Sequence, residues 1–185
     1  MRFTNQSWGI KMKKVLLPIA ALTLGLASVQ AFAADGTVSF TGNITQSGCV
    51  VSNATNKTIT VPMGNYSSSA FAKPGDTAGP KPFQINLTGC ATGSVKLRFD
   101  GTAVPGNTGL LQLSSTATAP YVGIQIMDAA TQAAYTIGDS SAITAQAVGS
   151  DGSLQLKLVA RYVAIKTGVP TGAANANTDF SIEYQ

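Results

Sequence analysis

The residues that could carry out chemistry are few and scattered in this 185-residue chain, which contains no histidine and eight acidic residues. Without histidine, a Ser-His-Asp or Cys-His arrangement cannot form, so acid–base catalysis would fall on carboxylates. Asp76, Asp100 and Asp151 adjoin glycines in turn-like sequences, where capping the turn is the usual role. A carboxylate pair brought together by strands remains an alternative, although no phosphate-binding glycine motif is present. We therefore expect no enzyme and no cofactor.

The first 33 residues have the pattern of a secretory signal peptide. A lysine cluster at 11–14 precedes an apolar run at 15–29, and an Ala-Phe-Ala cleavage site follows at 31–33. A transmembrane anchor is the alternative, which the limited length of the run and its proline disfavour. Met12 is followed by two lysines and could itself be the initiator, so a start at Met1 or Met12 stays open.

Cleavage after Ala33 changes the charge of the chain. It removes four of the twelve basic residues and none of the eight acidic ones, so the net charge falls from +4 to about zero. No basic cluster then remains to follow the phosphates of a nucleic acid. We expect neither nucleic acid nor a small-molecule substrate as a partner. A surface with so little net charge is compatible with association between protein chains.

Cys49 and Cys90 both lie in the part predicted to be exported. In an oxidising compartment, two cysteines in one small domain favour a disulfide. A metal site is the alternative, but two thiols without histidine supply too few ligands, so we expect no metal. The disulfide would close a loop of about 42 residues and stabilise the fold by roughly 4 kcal/mol.

Short runs of alternating apolar residues, separated by glycine, asparagine, aspartate and proline, predict an all-β domain. The predicted strands cover 58–63, 82–87, 94–99, a short strand at 111–113, 122–127, 154–165 and a C-terminal strand with Phe180, Ile182 and Tyr184. Loops are predicted at 65–80, 129–141 and 168–177. The run at 154–165 is long enough to predict a bulge near Val159–Ala160. A β-sandwich is the architecture typical of this pattern.

The stretch 35–44, DGTVSFTGNI, is a half-apolar strand at the start of the predicted mature chain. Val38, Phe40 and Ile44 share one face because residues two apart point the same way in a strand, and Gly42 occupies the fourth position. The strand could be the first strand of its own sheet. Alternatively, it could pair with a strand outside its own domain.

Six features in order along the chain resemble the pilin subunits of chaperone–usher fimbriae, in particular the type 1 major subunit group. They are DGTVSFTGNITQSGC at 35–49, the spacing of the two cysteines, NLTGC at 86–90, GIQIMD at 123–128, ARY at 160–162 and the terminal FSIEYQ. A tyrosine next to last, Tyr184, and a glycine fourteenth from the end, Gly172, also fit that family. The resemblance covers essentially the whole mature chain.

The resemblance implies an immunoglobulin-like β-sandwich that lacks its final strand and is completed by a donor strand from a neighbouring subunit. Residues 34–45 would be the N-terminal donor extension and 46–185 the pilin domain. A periplasmic chaperone would fill the groove first, and an outer-membrane usher would direct its replacement by the next subunit's extension. The donor positions would be Val38, Phe40, Gly42 and Ile44, and the acceptor and chaperone-contact positions would be Gly172, Phe180, Ile182 and Tyr184.

The expected function is therefore that of a structural subunit of a bacterial surface fimbria, exported through the periplasm and supporting cell adhesion. A minor adaptor or terminator pilin is the alternative within the same system. A tip adhesin is disfavoured because 152 mature residues leave no space for a second, receptor-binding domain. A secreted carbohydrate-binding β-sandwich is a further alternative.

Overall fold

The structure, a computed structural model, describes residues 38–42 and 48–185. The predicted signal peptide and Ile44 lie outside these ranges. Residues 48–185 contain β1 (Val50–Val51), a 3-10 turn (Ser68–Ala70), β2 (Thr77–Thr88), β3 (Ser94–Asp100), β4 (Ala103–Val104), β5 (Asn107–Leu111), β6 (Val122–Asp128), β7 (Gln146–Ala147), β8 (Leu154–Ala164) and β9 (Asp179–Tyr184). The prediction of an all-β fold is confirmed. No helix in the described part of the chain is long and apolar enough to span a membrane.

The strands form two antiparallel sheets. The larger sheet has the order β1-β2-β8-β6-β5-β4, and the smaller has the order β7-β3-β9. Alternate side chains of both sheets enter one core, and its most deeply buried aliphatic residues are Ile85, Leu87, Val95, Leu97, Leu156 and Leu158. Burying each such side chain contributes about 1.5–3 kcal/mol, so this shared core holds the two sheets together.

The irregularity in the larger sheet lies in β2, and the predicted bulge at Val159–Ala160 in β8 is wrong. Ala78 pairs with Tyr162 and Lys81 pairs with Ala160, so two residues of β2 oppose one residue of β8. β8 itself pairs with β6 without a break from Leu158 to Ala164. Buried and less buried residues therefore alternate in β8 from Leu156 to Tyr162, across the predicted bulge, and the extra residue belongs to β2.

A close approach accounts for the glycine in that bulge. Gly79 has a φ of +65°, and a Cβ at this position would lie 2.3 Å from the ring of Tyr66. The Tyr66 ring also meets Tyr162 edge-to-face, with 6.1 Å between the ring centroids. A larger residue at position 79 would therefore displace the aromatic side chain that covers this end of β2.

Three expectations about strand positions need correction. Residues 58–63 form no strand, although Ile59, Val61 and Met63 are partly buried and their neighbours are exposed. Pro62 lacks the amide hydrogen that a sheet partner would accept. β2 begins at Thr77, inside the predicted loop, and β5 ends at Leu111 without reaching Leu113.

The predicted loop at 129–141 contributes an aromatic residue to the core. Tyr135 is fully buried and meets Phe99 edge-to-face, with 5.1 Å between the ring centroids and an angle of 87° between the ring planes. Burial raises the pKa of Tyr135 to about 12, and the negative charge of Asp128 adds to this effect. The loop is thus held by the packing of Tyr135 and by backbone hydrogen bonds to β6, where the Tyr135 N–H donates to Ile126 O at 2.9 Å and Ala134 forms an isolated bridge with Met127.

Candidate functional site

The outer edge of β9 is the feature that bears most directly on the predicted function. β9 pairs with β3 on one side, with Phe180 opposite Phe99 and Ile182 opposite Leu97. Within residues 38–42 and 48–185, no strand pairs with its other side. Such an edge presents backbone N–H and C=O groups that can pair with an added strand.

Beside that edge, the core is incompletely covered. Phe180 and Ile182 pack against the core but are only partly buried, and Tyr184 is 44% exposed. Ile59 and Met63, in the extended segment that forms no strand, are also partly buried against the same core. The predicted acceptor residues of β9 therefore share one partly exposed apolar face.

The opposite face of β9 is polar and holds the strand to β3. The Ser181 hydroxyl donates a 2.6 Å hydrogen bond to Asp100, and the Ser140 hydroxyl donates to Glu183. Arg98 lies between the two acids, with its Nε 2.8 Å from Asp100 Oδ1 and a terminal nitrogen 3.5 Å from Glu183 Oε1. The hydrogen bond from Ser181, with help from Arg98, lowers the pKa of Asp100 below its usual value.

The C-terminal end of β9 meets the disulfide. Cys49 and Cys90 are bonded to each other, as the sequence predicted. The backbone N–H of Cys49 donates a 2.6 Å hydrogen bond to the Tyr184 hydroxyl, across 135 positions of sequence. Sequence reasoning placed Tyr184 on the acceptor face and missed this bond, because no local pattern indicates the partner of a tyrosine hydroxyl.

Gly172 lies in the connection between β8 and β9. A Cβ at this position would come within 2.5 Å of Thr118 Oγ1 and 2.7 Å of the Thr118 carbonyl oxygen. The neighbouring Ala173 N–H donates a 2.9 Å hydrogen bond to the same hydroxyl. The close contact with Thr118 accounts for a glycine at position 172. The place of Gly172 in the acceptor groove stays a prediction.

The predicted donor positions that the structure describes are exposed. Val38 is 76% exposed and Phe40 is 92% exposed. A Cβ on Gly42 would have no heavy atom within 4 Å. Ile44, the fourth predicted donor position, lies outside the described residues.

No group of three or more histidine, cysteine, aspartate or glutamate side chains that could hold a metal ion occurs in residues 38–42 and 48–185. Asp100 of β3 and Glu183 of β9 are already engaged by Arg98 and by serine hydroxyls. The chemistry of this region is therefore that of a strand edge and an apolar face.

Comparison with known proteins identifies the family. The family model described as "Fimbrial protein" matches residues 38–185. A type-1 fimbrial protein subunit of Serratia marcescens is 43% identical over 94% of this chain and 100% of its own length. A probable major fimbrial subunit of Escherichia coli O157:H7 is 35% identical over 94% of this chain and 98% of its own.

A solved structure supports the same assignment. A chain of a chaperone-usher pilus studied for rod uncoiling is 25% identical, with a TM-score of 0.60, and the match covers 82% of this chain and 96% of that one. The chain described here belongs to the fimbrial protein family. Its sandwich is of the immunoglobulin-like type found in chaperone–usher pilins, and the protein is a structural pilin that associates with other pilin subunits in a surface fimbria.

Proposed function

We propose that this pilin is a shaft subunit that polymerises by donor-strand exchange. The extension at 34–45 of one subunit adds to the free edge of β9 in the pilin domain, 46–185, of the next. The observation that carries the proposal is this edge strand, which is unpaired on one side within the described residues and bears partly exposed Phe180 and Ile182. Backbone hydrogen bonds to the added strand give stability, and its alternate side chains give register.

Donor side chains supply the apolar part of the contact. Val38 and Phe40 are exposed, and Ile44 continues the same alternation in the sequence. Removing three such side chains from water contributes at most about 5–9 kcal/mol. Gly42 leaves space at the position where the acceptor groove is shallow, and Gly172, Phe180, Ile182 and Tyr184 form the acceptor side.

Export supplies the other partners in this proposal. A free edge beside a partly exposed core is a hazard for aggregation, so the subunit needs a covering strand before it reaches its neighbour. A periplasmic chaperone supplies that strand by contacting the same acceptor residues, and an outer-membrane usher directs the exchange. The signal peptide at 1–33 accounts for entry into the periplasm. The role is structural and not enzymatic.

The match to a probable major fimbrial subunit over nearly its whole length supports the shaft role, and a minor adaptor or terminator role is the alternative. The count of this chain in sheared fimbriae decides between them. A shaft subunit is present in large excess over every other pilin, whereas an adaptor is present in one or a few copies per fimbria.

Removal of residues 34–44 from the exported protein tests the proposal. We expect the wild type to give detergent-resistant oligomer ladders that disappear on boiling, and the deletion variant to give none. Phe40→Ser reduces the ladder strongly, and Gly42→Phe abolishes it without unfolding the domain. Val50→Ser is the matched control, because Val50 is also an exposed apolar residue (63%) but lies outside the extension. Ladders of wild-type intensity from the deletion variant would contradict strand exchange.

A further inference from the structure

The Tyr184 hydroxyl has a contact that strand acceptance does not require. It accepts a 2.6 Å hydrogen bond from the backbone N–H of Cys49. Tyr184 is the last residue of β9, and the next residue, Gln185, donates its N–H to Ser94 O at 2.9 Å. The end of β9 is thus fixed to β3 through the backbone of Gln185 and to Cys49 through the side chain of Tyr184.

Cys49 is held by two attachments that come from different sheets. Its side chain is bonded to Cys90, which follows β2 of the larger sheet and donates its N–H to Gly152 O at 3.0 Å. Its backbone is bonded to Tyr184 of the smaller sheet. β1, which begins at Val50, then pairs with the end of β2. The Tyr184 hydroxyl therefore supplies the connection to the smaller sheet at this point.

Gly48 fits closely against the same hydroxyl. A Cβ on Gly48 would lie 2.9 Å from Tyr184 Oη and 3.7 Å from its Cζ. Any larger residue at position 48 would thus displace the hydroxyl from the Cys49 amide. The pair Gly48 and Tyr184 therefore behaves as one packing unit.

We propose that Tyr184 is a positioning residue: its hydroxyl fixes the backbone of Gly48 and Cys49, near the start of the pilin domain and shortly after the N-terminal extension. The first part of this inference concerns the folded domain alone. The second part, its effect on assembly, rests on the proposed strand exchange. Tyr184 then has two separable roles, because its ring belongs to the acceptor face and its hydroxyl serves the donor end of the same subunit.

The physical reason is conformational freedom at a glycine. Without the hydrogen bond, Gly48 samples both signs of φ, and the directions in which the extension can start are spread over a wider range. A strand that is tethered to its own subunit binds in proportion to its effective concentration at the acceptor edge. This concentration falls when the extension can start in a wider range of directions. A strand supplied as a free peptide has no such dependence.

Amide hydrogen exchange of the purified protein tests the first part. In Tyr184→Phe, we expect the Cys49 amide to exchange about five- to tenfold faster than in the wild type, because one hydrogen bond is lost. Tyr121→Phe is the matched control, since Tyr121 is similarly exposed (40%) and Cys49 does not donate to its hydroxyl. An unchanged rate at Cys49 in Tyr184→Phe would overturn the inference.

Gly48→Ala supplies a second, independent variant. In the wild-type background, we expect Gly48→Ala to accelerate exchange of the Cys49 amide by a similar factor, because the new Cβ of residue 48 displaces the Tyr184 hydroxyl. In the Tyr184→Phe background the hydroxyl is already absent, so the added effect should be less than twofold. Fully additive effects would show that Gly48 and Tyr184 act separately, and would contradict the packing unit.

Assembly tests the second part. We expect Tyr184→Phe to slow polymerisation through its own extension about two- to fivefold more than it slows capture of a synthetic peptide with the sequence of residues 35–44. Equal loss of both would mean that Tyr184 only lines the acceptor face, and would overturn the second role. If the wild type shows neither polymerisation nor peptide capture, the proposed strand exchange fails. The amide-exchange result still decides the first part.

Discussion

β8 and β9 have the same alternating sequence pattern but different surroundings. Leu156 and Leu158 in β8 are 1% exposed, and β8 is paired on both sides, with β2 and with β6. Phe180 and Ile182 in β9 are only partly buried, and β9 is paired with β3 alone within the described residues. The comparison shows that an alternating sequence predicts a strand but does not reveal whether that strand is paired on both sides or on one.

The largest expected effect on the free energy of unfolding comes from β8, the strand that is paired on both sides. Leu156→Ala should lower the free energy of unfolding by about 2–5 kcal/mol, because it leaves a cavity among closely packed side chains. Urea denaturation of the purified subunit measures this loss. A loss below about 1 kcal/mol would mean that β8 is not the centre of the core.

A smaller effect is expected at the edge strand. Ile182→Ala should lower the free energy of unfolding of the isolated subunit by about 1–2 kcal/mol, since Ile182 is only partly buried and less of it is removed from water than of Leu156. In the assembled fibre the same substitution should have a larger effect, because the donor strand then covers Ile182. The measurement compares denaturation of subunit and fibre. Equal losses in the two states would argue against a donor strand over β9.

The smallest effect concerns the polar face of β9. Because the pKa of Asp100 is lowered, its contribution to stability is present above about pH 4, the value for an unperturbed aspartate, and is lost as the pH falls toward the lower folded value. Ser181→Ala removes the main cause and should raise the pKa of Asp100 in an NMR titration of its carboxyl carbon. An unchanged titration would show that Ser181 does not hold β9 through Asp100.

A matching serine near β8 provides the control. Ser153 in the turn before β8 donates to Asp151 and lowers its pKa in the same way. Ser153→Ala should raise the pKa of Asp151 and leave that of Asp100 unchanged. At pH 3 the contribution of Asp100 is partly lost, so the difference in amide protection of β9 between the wild type and Ser181→Ala should be smaller than at neutral pH. The amide protection of β8 should be the same in these two proteins at both pH values.

The sequence predicted those parts of the fold that local patterns determine. Alternation located β9 and most of β8, and two exported cysteines predicted their bond. The bulge fell in β2 and not in β8, because it depends on how two strands of different length match. Residues 58–63 alternate as a strand does, yet they belong to no strand, and the described bridge in this segment is the local one between Thr58 and Thr55. The bond between Cys49 and Tyr184 joins residues 135 positions apart, so no local pattern could reveal it.

The attachment of Cys49 also determines how the domain responds to pulling. If neighbouring subunits are joined through the extension and β9, tension along a fibre enters the domain at Cys49. The disulfide transmits it directly to Cys90, which follows β2, and bypasses the chain between the two cysteines, whose sequence separation is 41. The extended residues 58–63 and the 3-10 turn lie within that bypassed loop. On that load path they carry little of the tension, so Ile59 and Met63 keep their packing against the core while the fibre is stretched.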